Sequence, residues 1–147
     1  MAVRTGSRTR RIYLDSSAYL RILLGEPGGA VFADEIRGQE ILTSTVLLLE
    51  ARRTLVRAAR TGVLDLDQLP LALARVTHDE RSFRTRDLQP DLCGEQPFPL
   101  ARTPRSLDLV HLRTALWFHA QAPLDRFVTA DGQQELAAKE MGLPVLS

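Results

Sequence analysis

Near each end of the chain a short β-rich run meets an aspartate and gives way at once to a helical pattern. Arg11-Ile-Tyr-Leu14 leads into Asp15, and Arg126-Phe-Val-Thr129 leads, one residue later, into Asp131. A strand that passes directly into a helix favours a parallel neighbour, because the helix carries the chain back across the sheet. Between these runs the same alternation recurs. Ala18 to Leu24 and Ala30 to Arg37 read as short helices, with Ser16 as N-cap of the first. Glu40 to Thr43 reads as a strand. Ser44 caps a long helix to about Arg60, with Leu47, Leu48, Ala51, Leu55 and Ala58 along one side. Asp65 is positioned to cap another helix, to about Val76. Ser106 is expected to cap a nearly all-apolar, hence buried, helix over Leu107 to His119. Gln133 to Met141 reads as a last helix and Pro144-Val-Leu146 as a last strand. Residues 77–103, charged and interrupted by Pro90, Pro97 and Pro99, read as irregular with at most a short helix or strand. The pattern predicts an α/β fold with a mainly parallel sheet covered by helices.

Composition narrows the functional classes. The 147 residues suit one domain, expected over residues 11–147 after a basic tail at 1–10. Nineteen basic against 18 acidic residues exclude a binder that holds nucleic acid by bulk charge. The one cysteine, Cys93, excludes a disulfide framework and a multi-cysteine zinc site, and fits a cytoplasmic protein. No apolar run reaches the roughly 18–20 residues of a membrane span. With 5% aromatic residues, a single-strand binder built on base stacking is disfavoured.

Four acids stand out. Asp15 and Asp131 lie where open α/β sheets bind ligands, outside the carboxyl ends of strands. Asp108 falls in the first turn of the apolar helix, on a face with Leu112, Ala115 and His119. Glu50 interrupts Val46-Leu-Leu-Leu49 and Ala51, and shares its face with Arg53, Thr54 and Arg57. Each has an ordinary reading as well: a helix cap for Asp15, a dipole partner for Asp108, a turn residue for Asp131, and a solvated pair with Arg53 or Arg57 for Glu50. Carboxylates brought within about 4–6 Å raise each other's pKa values unless a cation joins them. Oxygen-only ligands select hard ions, Mg²⁺ or Mn²⁺, over zinc. Such a centre supports phosphodiester hydrolysis.

Tyr13-Leu-Asp15-Ser-Ser-Ala18, Thr43-Ser-Thr45 followed by Glu50, Ser106-Leu-Asp108-Leu-Val-His111-Leu, Val128-Thr-Ala-Asp131 and Gly142-Leu-Pro-Val145 resemble, in order and spacing, the motifs of PIN-domain nucleases. Within that family they are most similar to the VapC-type toxins of bacterial toxin–antitoxin pairs, over about residues 11–146. The resemblance implies a three-layer α/β/α PIN-like fold and a Mg²⁺- or Mn²⁺-dependent endoribonuclease. Asp15, Glu50, Asp108 and Asp131 would then be the catalytic, metal-holding quartet. Ser16 and Thr129 are placed to hold Asp15 and Asp131. Arg53 and Arg57 stand beside the acids as candidate RNA contacts, or as part of a solvated face. The family implies RNA as substrate, a small VapB-like antitoxin whose C-terminal segment covers the acids, and a homodimer.

The match departs from the family at three places. Residues 77–103 are longer and more polar than its pattern. Arg113 stands where its helix usually has a small residue, and is expected to alter packing or reach RNA. Gly132-Gln133-Gln134 follows Asp131 where a basic residue is often found. His111 is expected to be packed and hydrogen-bonded, outside the catalytic set, and Trp117 and Phe118 to lie in the core or a dimer interface. Arg4, Arg8, Arg10 and Arg11 form a basic cluster, either an RNA-tethering arm or a solubilising tail.

Other classes fit less well. A non-catalytic PIN-like module binding RNA or protein has no need of all four acids. A phosphatase of the haloacid dehalogenase type needs an acid where Ser17 stands. A phospho-receiver needs a late lysine, and Lys139 lies inside the last helix.

Overall fold

A computed structural model describes residues 6–94 and 105–145. Strands β1 (Arg11–Leu14), β2 (Glu40–Ser44), β3 (Arg84–Arg86) and β4 (Arg126–Val128) form one all-parallel sheet in the order β3-β2-β1-β4. The helices are α1 (Ser16–Leu24), α2 (Gly29–Ile36), α3 (Thr45–Arg60), α4 (Leu69–Glu80), α5 (Pro90–Cys93), α6 (Ser106–Gln121) and α7 (Gly132–Glu140). Among the described residues no helix is long and apolar enough to cross a membrane.

The alternation of side chains along a strand divides the core in two. Ile12 and Leu14 of β1, Ile41 of β2 and Val128 of β4 point to one face. There they meet Ala18 and Tyr19 of α1, Leu47, Ala51 and Leu55 of α3 and Val76 of α4. Tyr13, Leu42 and Phe127, one residue out of step, point to the other. They pack on Leu112, Ala115 and Phe118 of α6 and Ala137 and Ala138 of α7. Tyr13 and Phe127 are partners in register across β1 and β4, and their rings stack with centroids 5.3 Å apart. The result is the expected α/β/α sandwich.

Several boundaries differ from the sequence reading. Asp15, not Ser16, occupies the N-cap of α1, and its carboxylate makes no cap bond. Asp65 does not cap α4. Its carbonyl instead closes a turn onto the Gln68 N–H at 2.9 Å, and the helix begins with Pro70 in its first turn, where a missing N–H costs nothing. Helix α6 begins at Ser106 rather than after it, because the Asp108 carboxylate accepts from the Arg105 N–H at 3.3 Å and fixes the turn one residue earlier. Pro144 and Val145 are not a strand. Among the described residues one hydrogen bond, from Phe127 N–H to the Pro144 carbonyl at 2.6 Å, ties that segment to β4; Leu146, the end of the expected strand, lies outside them. Ser44 caps α3 as expected, accepting from Val46 N–H.

The polar region after α4 contains the edge strand β3 and the one-turn α5. Arg113 is what fastens it. Its guanidinium donates to the carbonyls of Leu92 at 2.9 Å and Gly94 at 2.8 Å, so it serves packing. Arg86 lies 4.2 Å over the Trp117 ring on the same side. Residues 95–104, the remainder of the expected irregular region, lie outside the described residues. At the N-terminus, Arg4 lies outside them too. Arg8 pairs with Asp125, and Arg11 pairs with Glu40 and donates to the Ala122 carbonyl, at the amino ends of the strands. These contacts face away from the carboxyl-end acids.

Helices α1 and α2 meet closely at Gly29. A Cβ there would lie 2.5 Å from the Arg21 carbonyl oxygen and 2.9 Å from its carbon, both backbone atoms that cannot swing aside. Gly29→Ala is expected to destabilise the fold by about 1–3 kcal/mol, the usual range for forced overpacking, read as a lower urea midpoint. An unchanged midpoint would show that the two helices are free to separate.

Candidate active site

The carboxyl ends of β1 and β4 deliver two acids to the same edge. Asp15 continues β1, its N–H donating to the Val128 carbonyl at 2.9 Å. Its side chain is buried, with 2% of the residue exposed. Oδ2 accepts from Ser17 Oγ at 2.6 Å and from Thr129 Oγ1 at 2.8 Å. Oδ1 is buried without a hydrogen-bond partner among the described residues. A buried carboxylate oxygen in that condition is costly unless something positive or protic meets it.

The two hydroxyls also organise the strand end. Ser17 Oγ accepts from Ala130 N–H at 2.9 Å, and Thr129 Oγ1 accepts from Asp131 N–H at 3.1 Å. Thr129 thus holds the carboxylate of Asp15 and only the backbone of Asp131. Ser16, expected to hold Asp15, donates instead to Glu50 Oε2 at 3.2 Å. Ser17 takes the place expected of Ser16. Asp131 caps α7, with Oδ1 accepting from the N–H groups of Gln133 at 2.8 Å and Gln134 at 3.4 Å.

Glu50 arrives from α3. Its Oε1 lies 2.8 Å from His111 Nε2, and His111 Nδ1 lies 2.8 Å from the Tyr13 hydroxyl. His111 is fully buried. The donors balance when Tyr13 O–H donates to Nδ1 and Nε2–H donates to Glu50. Burial, then the charge of Asp15, pushes the Tyr13 hydroxyl well above its ordinary pKa, so it keeps its proton. Burial works against a charged His111, but the bond to Glu50 and the charges of Asp15, Glu50 and Asp108 outweigh it, and its pKa is raised. The expectation of a packed, hydrogen-bonded histidine holds. That its partner is Glu50 was invisible in the sequence, because 61 residues separate them. Arg53 and Arg57 form no ion pair with Glu50, so the expected surface pairing of that acid is replaced by a buried one.

Asp108 completes the group. Partial burial raises its pKa; the Arg105 N–H pulls it down, and the charges of Asp15 and Asp131 push it up again. Its carbonyl accepts from the buried side chain of Gln134 at 2.8 Å, which ties α6 to the start of α7. Glu50, Asp108 and Asp131 line one open cavity of about 740 Å³, together with Arg53, Thr54 and Gln133. Asp15 is not among its lining residues. Among the described residues no three acidic, histidine or cysteine side chains approach closely enough to share one ion as they stand. The donor set is nevertheless all oxygen, as a hard divalent cation requires, and the unpartnered Asp15 Oδ1 is an atom that such an ion would satisfy.

The PIN-domain family model matches residues 12–140. Ribonuclease VapC35 of Mycobacterium tuberculosis, in strains CDC 1551 / Oshkosh and ATCC 25618 / H37Rv, is 30% identical over 139 residues, spanning 92% of this chain and 96% of its own. Among solved structures, the sarcin-ricin loop cleaving toxin VapC20 of the same organism matches with a TM-score of 0.53. The match covers 84% of this chain and 92% of that one at 13% identity, and so shows likeness of fold alone.

A carboxyl group whose pKa is raised by folding is destabilising when ionised. The ion-free protein therefore loses stability as pH rises through the ordinary carboxylate range toward the raised value of Asp108. Asp108→Asn is expected to melt higher than the parent in EDTA near pH 7. The difference should vanish below the carboxylate range, where Asp108 is protonated in both states. A variant no more stable than the parent in EDTA would show that the acids do not crowd one another.

Proposed function

The chain belongs to the PIN-domain family, and from that premise we propose that it is a VapC-type endoribonuclease, the toxin of a toxin–antitoxin pair. The observation that carries the reading is the gathering of Glu50, Asp108 and Asp131 around one cavity at the carboxyl edge of the sheet, with Asp15 held at the same edge by Ser17 and Thr129.

In this reading Asp15, Glu50, Asp108 and Asp131 hold Mg²⁺ or Mn²⁺. A bound ion of this kind supplies Lewis acidity toward a phosphoryl oxygen and lowers the pKa of water at neutral pH. The chain's own groups do the rest. Ser17 and Thr129 hold Asp15 through Oδ2, which leaves Oδ1 without a partner among the described residues and available to a ligand. Ser16 and His111 hold the two oxygens of Glu50 in a set orientation, which reduces the rearrangement needed when substrate arrives. Arg53, which lines the cavity, and Arg57, one turn along α3, bind RNA phosphates through their planar forks. A small VapB-like antitoxin is the proposed partner, the active unit a homodimer, and the cytoplasm the place of action.

The test is cleavage of total cellular RNA by the purified chain with Mg²⁺ or Mn²⁺ and with EDTA. Cleavage in the first and none in the second is expected, with Asp15→Asn inactive. Thr129→Val, which keeps shape and removes one donor to Asp15, should lose about 10–100-fold in rate, the usual effect of removing a group that holds a metal ligand. Full cleavage by Asp15→Asn, or in EDTA, would overturn the assignment. Induced expression should arrest growth, and co-expression of the cognate antitoxin should restore it. Unaffected growth with the four acids intact would favour a binding module.

A further inference from the structure

Helix α3 carries four arginines, and the structure separates them by task. Arg52 is used within the fold, donating to Glu80 at 3.1 Å and lying near Thr77 on α4. Arg53, Arg57 and Arg60 are exposed and form no ion pair with any described residue. Their offsets of four and three residues place them on one face. They line a second open groove of about 440 Å³ with Val56 and Thr61. Arg53 also lines the acidic cavity, so the two depressions share a wall.

We infer that this groove is the track for single-stranded RNA flanking the cut, holding about three phosphates on one side of the scissile bond without reading their bases. The inference rests on the ribonuclease reading and extends it from the cavity to the substrate's path. Three observations carry it. From Arg53 to Arg60 the helix rises roughly 10 Å, which spans about three charges of a stacked strand at roughly 3.4 Å each. Among the described residues the lining has no aromatic side chain on which a base could stack and no carboxylate to accept from a base amino group. Val56 is the one large apolar residue among the described lining residues, too little for the buried apolar centre of a protein interface. What remains is a row of planar cations leading out of an acidic cavity, which suits a polyanion whose one bond is to be cut there. The acids alone would repel that polyanion. The arginine row offsets the repulsion and sets the direction in which the strand leaves.

The experiment measures binding of fluorescein-labelled, mixed-sequence 12-nucleotide RNAs to the Asp15→Asn chain by anisotropy across a range of KCl concentrations. Arg57→Ala and Arg60→Ala are each expected to weaken binding equally for every sequence. Each should lower the slope of log K against log salt by about 0.7, the value for one phosphate contact on a single strand. Arg52→Ala should leave the slope unchanged. Melting temperatures for each variant separate lost contacts from lost fold. In parallel, Arg57→Ala and Arg60→Ala placed in the otherwise native chain should raise KM for RNA cleavage. An unchanged slope in both variants, or a loss that depends on RNA sequence, would overturn the track. If the slope changes as expected and the native chain cuts no RNA with Mg²⁺ or Mn²⁺, the track stands and the ribonuclease reading fails. If the native chain cuts and neither variant alters slope or KM, the reading stands and the track fails. Tight binding of an acidic peptide to the native groove with no loss in RNA slope on substitution would likewise overturn it, in favour of a protein partner.

Discussion

The site depends on holding a carboxylate, almost fully buried, at the end of the central strand. Asp15 is 2% exposed, and the hydroxyls of Ser17 and Thr129 both donate to one of its oxygens, as a buried carboxylate requires. Those hydroxyls are not free agents. Each also accepts a backbone N–H from the turn after β4, so the turn that carries Asp131 is fastened to the carboxylate of Asp15. The two aspartates are coupled through two small side chains. The remaining oxygen of Asp15 is left for something else, and a hard cation is the partner that suits it.

The split core makes that arrangement rigid. Because side chains alternate along β1, Ile12 and Leu14 anchor the helices that bring Glu50, and Tyr13 anchors the helix that brings Asp108. Tyr13 does more than pack. Its hydroxyl meets His111, which meets Glu50, so a hydrogen-bonded chain runs from the interior of the sheet to an acid on the other side of the site. A substitution at Tyr13 or His111 would be felt at Glu50, though neither residue lines the cavity.

Much of this was legible in the sequence, and the parts that were not have physical reasons. The four acids stand out as candidates because each occupies a position with a backbone meaning: a strand end, a helix first turn, or an interruption of an apolar stripe. Which serine holds Asp15 is not readable, since Ser16 and Ser17 are neighbours in the first turn of α1 and only the tertiary structure sends one to Glu50 and the other to Asp15. The bond between His111 and Glu50 joins two helices and has no local trace. Ser106 and Asp65 look like caps by residue type, yet a carboxylate two residues on and a proline in the next turn decide where those helices start. Strand β3 is a short, largely exposed edge of Arg-Thr-Arg, so it offers no apolar alternation to detect. Arg113 reads as an exception to the family's small residue, and only its contacts with α5 show that it replaces close packing with hydrogen bonds.

We propose that the buried Asp15 and the acids around the cavity form one hard-cation centre. The most direct measurement is the anomalous-scattering position of Mn²⁺ in crystals of the native chain. The expected result is a peak held by Asp15 together with Asp108 or Asp131. A Mn²⁺ peak bound elsewhere, with Asp15 Oδ1 still unpartnered, would contradict it.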